Sequence, residues 1–423
     1  MNYRILTICF GLALVLAAGR SSAQDARWWK GNLHTHSFWS DGDDFPDMIA
    51  DWYKEQGYQF LAISDHNVLS QGERWMDLGT NAVRLQALEK YLRRFGTNWA
   101  ELREVDGKRQ VRLKPITEYA PLFQEAGRFL IIQSEEITDR YRNLPVHLNA
   151  TNLRDLIPPQ GGNSVREVMQ RNVDAVIEQS RTTGQAILPH LNHPNFHWGV
   201  TAEDLAAVRG ERFFEVYNGH PHVHNRGDEI HPSTDRMWDI ALVLRLTSHE
   251  PEVLYGIATD DTHHYHKQGL GLSNAGRGWI MVRAHFLTPE SLIRAMEKGD
   301  FYASSGVSLK RLQASPKRLE LEIEAEDGVQ YRTEFIGTKR GVDASGEPVK
   351  DAEGKELPIT RRYGPQIGEV LATVEGTHAV YEAKGDELYV RARITSSKDK
   401  PNPSEAGEKE MAWVQPIFPV AAP

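Results

Sequence analysis

The sequence predicts an α/β fold in which short strands alternate with helices and can close into a barrel, followed by a small all-β, sandwich-like module. Three observations support this reading. Between about Trp28 and Arg283, short apolar runs alternate with amphipathic segments. Histidines and carboxylates recur just after those runs. Beyond about Val307 the hydropathy pattern changes to apolar/polar alternation.

Seven apolar runs read as strands: Trp29–Leu33, Phe60–Ile63, Phe129–Gln133, Ala186–Leu191, Phe213–Tyr217, Leu254–Ala258 and Trp279–Val282. The helices between them carry start and stop signals. One begins near Pro46, places Ile49, Trp52 and Tyr53 on one face and stops at Gly57. Another runs from about Val165 to Gly184, with Val165, Val168, Met169, Val173, Val176 and Ile177 on one face. A third starts at Thr288-Pro289, a cap followed by a first-turn proline, and ends at Gly299. Gln71 to Gln124 interrupts the rhythm with a polar helical stretch (Ala82 to Phe95) and a charged hairpin (Arg103 to Lys114) around Asp106-Gly107. Leu319 to Ala325, Glu387 to Ile394 and Ala412 to Phe418 alternate as half-buried antiparallel strands of the C-terminal module.

Composition bounds the function. Arg4, the apolar stretch Ile5 to Gly19 and the small residues Ser21-Ser22-Ala23 read as a secretory signal cut after Ala23. The chain is then expected to be secreted or periplasmic, with no stable membrane insertion, because no apolar run reaches a comfortable span. Cys9 is the single cysteine and would leave with the signal. No disulfide framework or thiolate ligand remains, so a large core must stabilise the fold. The formal charge of −9 disfavours nucleic acid as a partner, since phosphate backbones need a basic footprint. A small-molecule substrate is expected.

The chemistry-bearing residues follow the strands. Leu33-His34-Thr35-His36 leads into Ser40-Asp41-Gly42, and residues two apart in extended chain face the same way, so His34 and His36 can grip one ion. Ser64-Asp65-His66-Asn67 follows the second strand. Ser134-Glu135-Glu136-Ile137-Thr138 follows the third, with His147 on the next loop. His190 to His193-Pro194, Glu215 to Asn218 and Asp260-Asp261-Thr262-His263-His264 follow the next three. A lone histidine is usually a packed or surface residue. Six strand ends in register are different, because they converge at one face of a barrel. Imidazoles and carboxylates without thiolates suit divalent Zn, Mn or Fe. No Gly-x-Ser-x-Gly elbow is present, so a serine hydrolase is not indicated.

The set His34-x-His36, Ser40-Asp41-Gly42, Asp65-His66-Asn67, Glu136-Ile137-Thr138, His147, His193-Pro194 and Asp261-x-His263 resembles the PHP (polymerase and histidinol phosphatase) superfamily over about Gly31 to His264. The signal, the Phe301 to Gly306 stretch and the C-terminal module resemble its exported, carbaryl-hydrolase-like branch. The resemblance implies a distorted seven-stranded (β/α)7 barrel over residues 24–306, with 71–124 inserted, and a β module over 307–423. It also implies two or three divalent metal ions. His34, His36, Glu136 and Asp261 would hold one, Glu136 would bridge to a second on His147 and His193, and Asp41, His66 and His263 would hold the third. Glu135 competes with Glu136, and Asp260 with Asp261. Glu136 fits because Ile-Thr follows it, and Asp261 because it stands two before His263.

The expected activity is metal-dependent hydrolysis by an activated water, on phosphoesters or on esters and carbamates. Asp65 and Glu215 are candidates to orient the imidazoles or protonate a leaving group. His190, His197, His220, His222 and His224 crowd the same end; Gly219 to His224 reads as a flexible His-rich loop able to touch substrate. Arg226 could meet an anionic group. Trp39, Phe196, Trp198 and Tyr265 flank the motifs and favour a partly apolar, uncharged substrate. The competing readings are an amidohydrolase-type barrel, which also opens with His-x-His, and a non-catalytic exported metal-binding or scaffold protein.

Overall fold

A computed structural model describes residues 25–420. The expected signal over residues 1–23 lies outside the described residues.

The chain opens with β1 (Arg27–Asn32), α1 (Pro46–Glu55) and β2 (Phe60–Ile63). Gly31 of β1 is required, since a Cβ there would lie 2.2 Å from the Phe60 ring. Strand alternation sorts β2 between two cores: Phe60 and Ala62 face the interior cluster, while Leu61 and Ile63 pack against Ile49 and Tyr53 of α1. The insertion forms β3 (Arg74–Asp77), α2 (Ala82–Phe95), β4 (Leu102–Val105), β5 (Lys108–Leu113) and α3 (Ile116–Phe123). Its three strands make a separate antiparallel sheet in the order β3-β5-β4. Asp106 and Gly107 join β4 to β5 with φ of 50° and 73°, the left-handed pair that a two-residue hairpin needs. Asn81 caps α2 by accepting from the Arg84 backbone N–H.

Next come β6 (Leu130–Tyr141), β7 (Leu144–Thr151), α4 (Val165–Thr183), β8 (Leu188–Leu191), α5 (Ala202–Ala207), β9 (Phe213–Asn218), α6 (Thr234–Leu246), β10 (Tyr255–Thr259), β11 (Trp279–Ala284), α7 (Pro289–Glu297) and β12 (Phe301–Ser304). The Ser164 and Thr288 side chains cap α4 and α7, and Gly184 ends α4 in the left-handed region. The module adds β13 (Leu309–Ser315), β14 (Arg318–Ile323), β15 (Tyr331–Lys339), β16 (Glu369–Glu375), β17 (His378–Glu382), β18 (Glu387–Asp399) and β19 (Lys409–Ile417).

The α/β class holds, with seven helices among the described residues and one 13-stranded sheet ordered β10-β9-β8-β7-β6-β2-β1-β11-β12-β19-β18-β15-β16. Two departures from a regular (β/α)7 pattern stand out. The third expected strand continues past Gln133 to Tyr141 and returns antiparallel as β7, so His147 sits on a strand rather than a loop. Ile137, Val146, Leu148 and Ala150 drive this, because the hairpin buries them under α4. The seventh expected strand, β11, runs antiparallel to β1. The sheet nonetheless wraps a common interior: Leu33, Phe60, Ile132, Leu188, Phe213, Ile257 and Ile280 share one apolar cluster. Beyond β1 and β10 the chain joins again through a Thr35–Thr262 bridge, with His36 N–H donating to Thr262 O at 3.0 Å.

The module is a sandwich of β13-β14-β17 against the far end of the large sheet, with Leu319, Leu321, Phe335, Val390 and Val414 between them. Its attachment is closer than the sequence suggests, since β19 pairs with β12 in the same sheet as the strands of the site. Asp239 of α6 accepts from Arg391 of β18 at 2.7 and 2.8 Å, and the Arg391 side chain is fully buried. No helix among the described residues is long and apolar enough to cross a membrane.

Candidate metal centre

The ends of β1, β2, β6, β7, β8 and β10 converge, and the distances follow from that. His34 Nε2 and His36 Nε2 lie 3.1 Å apart. Glu136 Oε2 is 3.4 and 3.3 Å from them, and Asp261 Oδ1 is 3.2 and 3.1 Å from them. The second Glu136 oxygen faces a different pair, His147 Nδ1 at 3.0 Å and His193 Nε2 at 3.4 Å. Asp41 stands on the outer side, with Oδ1 3.4 Å from His263 Nε2 and 3.7 Å from His36 Nδ1, and Oδ2 3.6 Å from His66 Nε2. All nine candidate ligands therefore meet. They fall into overlapping groups whose ligand atoms lie within 4.8 Å of one another: His36-Asp41-His66-His263, His34-His193-Asp261, His34-His36-Glu136 and His66-Glu136-His147.

This donor set fits divalent cations. It holds only imidazole nitrogens and carboxylate oxygens. Glu136 Oε2, His36 Nδ1 and His147 Nδ1 are buried without a hydrogen bond, an arrangement that costs free energy until a cation satisfies it. Electrostatics prepares the ligands. Burial alone would raise the Glu136 and Asp261 carboxyls, but the imidazoles around them outweigh it and hold both well below the usual range. Burial, reinforced by His263 and His66, pushes His36 down to about 3, so it stays neutral. His34 is raised: Asp261, Glu215 and Glu136 overcome its burial, and an incoming cation would displace that proton.

The two ambiguous pairs separate by strand direction. Glu135 points to the other face of β6 and accepts from the Ile157 backbone N–H at 3.0 Å. Asp260 accepts from Tyr53 Oη at 2.6 Å and from the N–H groups of Gly276, Arg277 and Gly278 at 2.9, 2.6 and 2.7 Å. Neither faces the cluster.

Asp65 and Glu215 are both buried and fully engaged. Asp65 accepts from Ser37 N–H, Ser37 Oγ and Ser40 Oγ at 2.8, 2.6 and 2.6 Å, which pins the loop carrying His36 and Asp41. Glu215 lies 2.7 Å from His34 Nδ1 and 3.6 Å from His190 Nε2, and accepts from His193 N–H, Asn218 Nδ2 and Thr259 Oγ1. These contacts orient imidazoles and leave no free oxygen to meet a leaving group.

Sequence reasoning missed Asn192 and Asn218. Asn192 Nδ2 donates to Glu136 Oε1 at 2.8 Å and to Asn149 Oδ1 at 2.9 Å. Asn218 Nδ2 reaches Glu215 and Asp261 at 2.7 and 3.1 Å. Both stood inside the quoted motifs, between His190 and His193 and three after Glu215. The His-rich segment is more tied than expected: His220 N–H donates to Asn218 Oδ1, and Asn195 Nδ2 donates to His224 O. Burial lowers His220 to about 4, and its ring sits 5.5 Å from His263. His222 and His197 are exposed, and His224 stacks on Trp198 at 4.6 Å. Arg226 pairs with Glu405 at 3.4 Å, away from the ligands. Tyr265 Oη donates to His36 O, while Phe196 lies 5.0 Å from His193.

No family model matches the chain, and no curated protein matches it. Solved structures similar to it include two that are described as metal-dependent phosphoesterases. One is a two-domain protein containing a predicted PHP-like metal-dependent phosphoesterase from Bacteroides vulgatus, at 14% identity over 93% of this chain and 96% of that one, with a TM-score of 0.39. The other, from Bifidobacterium adolescentis, is described as an inferred metal-dependent phosphoesterase, at 14% identity over 58% of this chain and 92% of that one, with a TM-score of 0.28. The first description names the superfamily that the motif set resembles. At those TM-scores the likeness adds no weight to the side-chain geometry.

Proposed function

We propose that this chain is a PHP-type, metal-dependent hydrolase that cleaves phosphoesters or aryl esters and carbamates. One observation carries the reading: nine imidazoles and carboxylates from six strand ends, all but the exposed Asp41 buried or half-buried, point at one another, with His36 Nδ1, Glu136 Oε2 and His147 Nδ1 unsatisfied. Two or three ions would be held by His34, His36, Glu136 and Asp261, by Glu136 with His147 and His193, and by Asp41, His66 and His263. Bound there, divalent ions supply an acidified water and positive charge for the oxyanion that develops on attack.

The chain's own residues do the rest. Glu136 offers one oxygen to each side of the cluster and is held by Asn192. Glu215 fixes His34, and Asp65 fixes the His36–Asp41 loop. Access is from the outer group: the Asp41 and His66 side chains are 58% and 25% exposed, whereas His34, His36 and Glu136 are sealed. Substrate therefore meets the Asp41 side first. Phe196 sets an aromatic ring against the His147–His193 pair and favours an aryl ester or carbamate as the second substrate class. Export through the 1–23 signal and a bracing role for the 307–423 module complete the reading.

A panel of aryl phosphates, aryl esters and aryl carbamates on metal-analysed protein tests it. Turnover that chelator abolishes and added metal restores is expected. Protein purified without stoichiometric metal, and indifferent to chelator, would leave the scaffold reading instead.

A further inference from the structure

A cavity of about 670 Å³ lies against the Asp41 edge of the cluster. One wall is the loop carrying Phe38 and Asp41, and the other is the inserted sheet and helix, with Arg74, Trp75 and Arg84. The charges in it are unequal in what they already bind. The Asp77 carboxylate accepts from Gln110 Nε2 at 2.5 Å, and its carbonyl accepts from Arg84 at 2.6 Å. Asp43 accepts from the Tyr265 backbone N–H at 2.8 Å. Asp41 belongs to the ligand set. Arg74 is exposed, forms no ion pair among the described residues, and has its guanidinium carbon 5.5 Å from the Trp39 ring. A guanidinium steadied by an indole with its donors free is a ready partner for a carboxylate or phosphate.

We propose that this cavity takes the leaving-group half of the substrate, and that Arg74 pairs with an anionic group on it. The proposal rests on the hydrolase reading, and it makes the 71–124 insertion a specificity element. Phe38 and the half-buried Trp75, whose ring carries the Arg103 guanidinium at 3.9 Å, make this wall of the cavity aromatic, so the substrate class is an aryl ester whose ring bears an acidic substituent. The cavity begins where access to the cluster is open, so a bond cleaved at the outer ligands leaves its departing half on the Arg74 side.

Metal-loaded protein is assayed with phenyl phosphate and 4-carboxyphenyl phosphate, or with the matching acetates. The readout is the ratio of kcat/KM, charged over uncharged. Arg74→Ala is expected to lower that ratio at least ten-fold, Arg74→Lys to keep part of it, and Arg74→Glu to invert the preference. Arg154→Ala, a remote exposed arginine, leaves the ratio unchanged if the effect is local rather than bulk charge. Calorimetry with 4-hydroxybenzoate against phenol gives a second readout, with Arg74→Ala weakening the benzoate at least five-fold. A ratio or a benzoate affinity that ignores Arg74→Ala and Arg74→Glu overturns the proposal. Wild-type protein without chelator-sensitive turnover of either ester would sink the hydrolase reading instead, and the calorimetry then decides the anion site by itself.

Discussion

Asp260→Asn separates a structural carboxylate from the ligand next to it. Asp260 Oδ1 accepts from the Arg277 and Gly278 N–H groups, and Oδ2 accepts from Tyr53 Oη and the Gly276 N–H. An asparagine keeps one oxygen, which can retain the first pair. Its amide nitrogen then faces the Gly276 N–H, donor against donor. Tyr53 Oη is already an acceptor for Asn32 Nδ2 and can turn only partly to compensate. One buried N–H left unsatisfied costs about 1–3 kcal/mol. Loss of the charge on the remaining bonds brings the expected destabilisation to about 2–4 kcal/mol, several degrees in Tm. The turn that moves also carries Asp261, so metal affinity should fall by about 10–100-fold without vanishing. The assay is a thermal melt in excess chelator, paired with metal analysis, on Asp260→Asn and Asp261→Asn. Asp260→Asn should melt early even without metal, whereas Asp261→Asn should lose at least one equivalent of ion. An Asp260→Asn protein with wild-type apo stability and no bound metal would refute the reasoning and exchange the two roles.

Three further outcomes are expected. His36→Ala should abolish chelator-sensitive hydrolysis while circular dichroism shows an intact fold, because the substitution removes a ligand shared by two groups of the cluster. Asp47, buried and bonded to Tyr91 and Trp99, is raised by burial to about 6 from an ordinary 3.8. Its contribution to stability is present below pH 3.8 and is lost as pH rises through about 6. The stability of Asp47→Asn relative to wild type should therefore improve by up to ~3 kcal/mol between pH 4 and 6.5, and a flat difference in denaturant titrations would contradict this. Arg391→Leu leaves the buried Asp239 without its cation, while Asp235 keeps Arg393, and should cost about 3–5 kcal/mol, read as a lower denaturation midpoint of the whole chain rather than of a separate module.

Much of this architecture was legible in local patterns. The Ala82–Phe95 helix and the Asp106-Gly107 hairpin of the insertion stand where propensity and turn chemistry put them, and α4 lies between the Ser164 cap and Gly184. The parallel strands Phe60–Ile63 and Phe213–Asn218 are wholly buried, as continuous apolar runs require. The β6–β7 hairpin was not legible, because its turn uses Arg142 at φ 58° where a glycine or an Asn-Gly pair would have announced it. Strand direction was not legible either. β11 has the same apolar pattern whether parallel or antiparallel, and only its pairing with β1 reveals it. For the site, histidines and carboxylates were conspicuous, and the side to which Glu135 or Glu136 points follows from strand alternation once the register is known. Asn192 and Asn218 carry no charge and no distinctive spacing, so their grip on Glu136 and Asp261 emerges only in three dimensions.

The most direct measurement is anomalous-scattering diffraction from crystals of the protein grown with zinc or manganese. The expected map shows two or three peaks enclosed by His34, His36, Asp41, His66, Glu136, His147, His193, Asp261 and His263, with Glu136 touching two of them. A map without peaks among these side chains at saturating metal, or with ions held by Glu135 and Asp260 instead, would contradict the account.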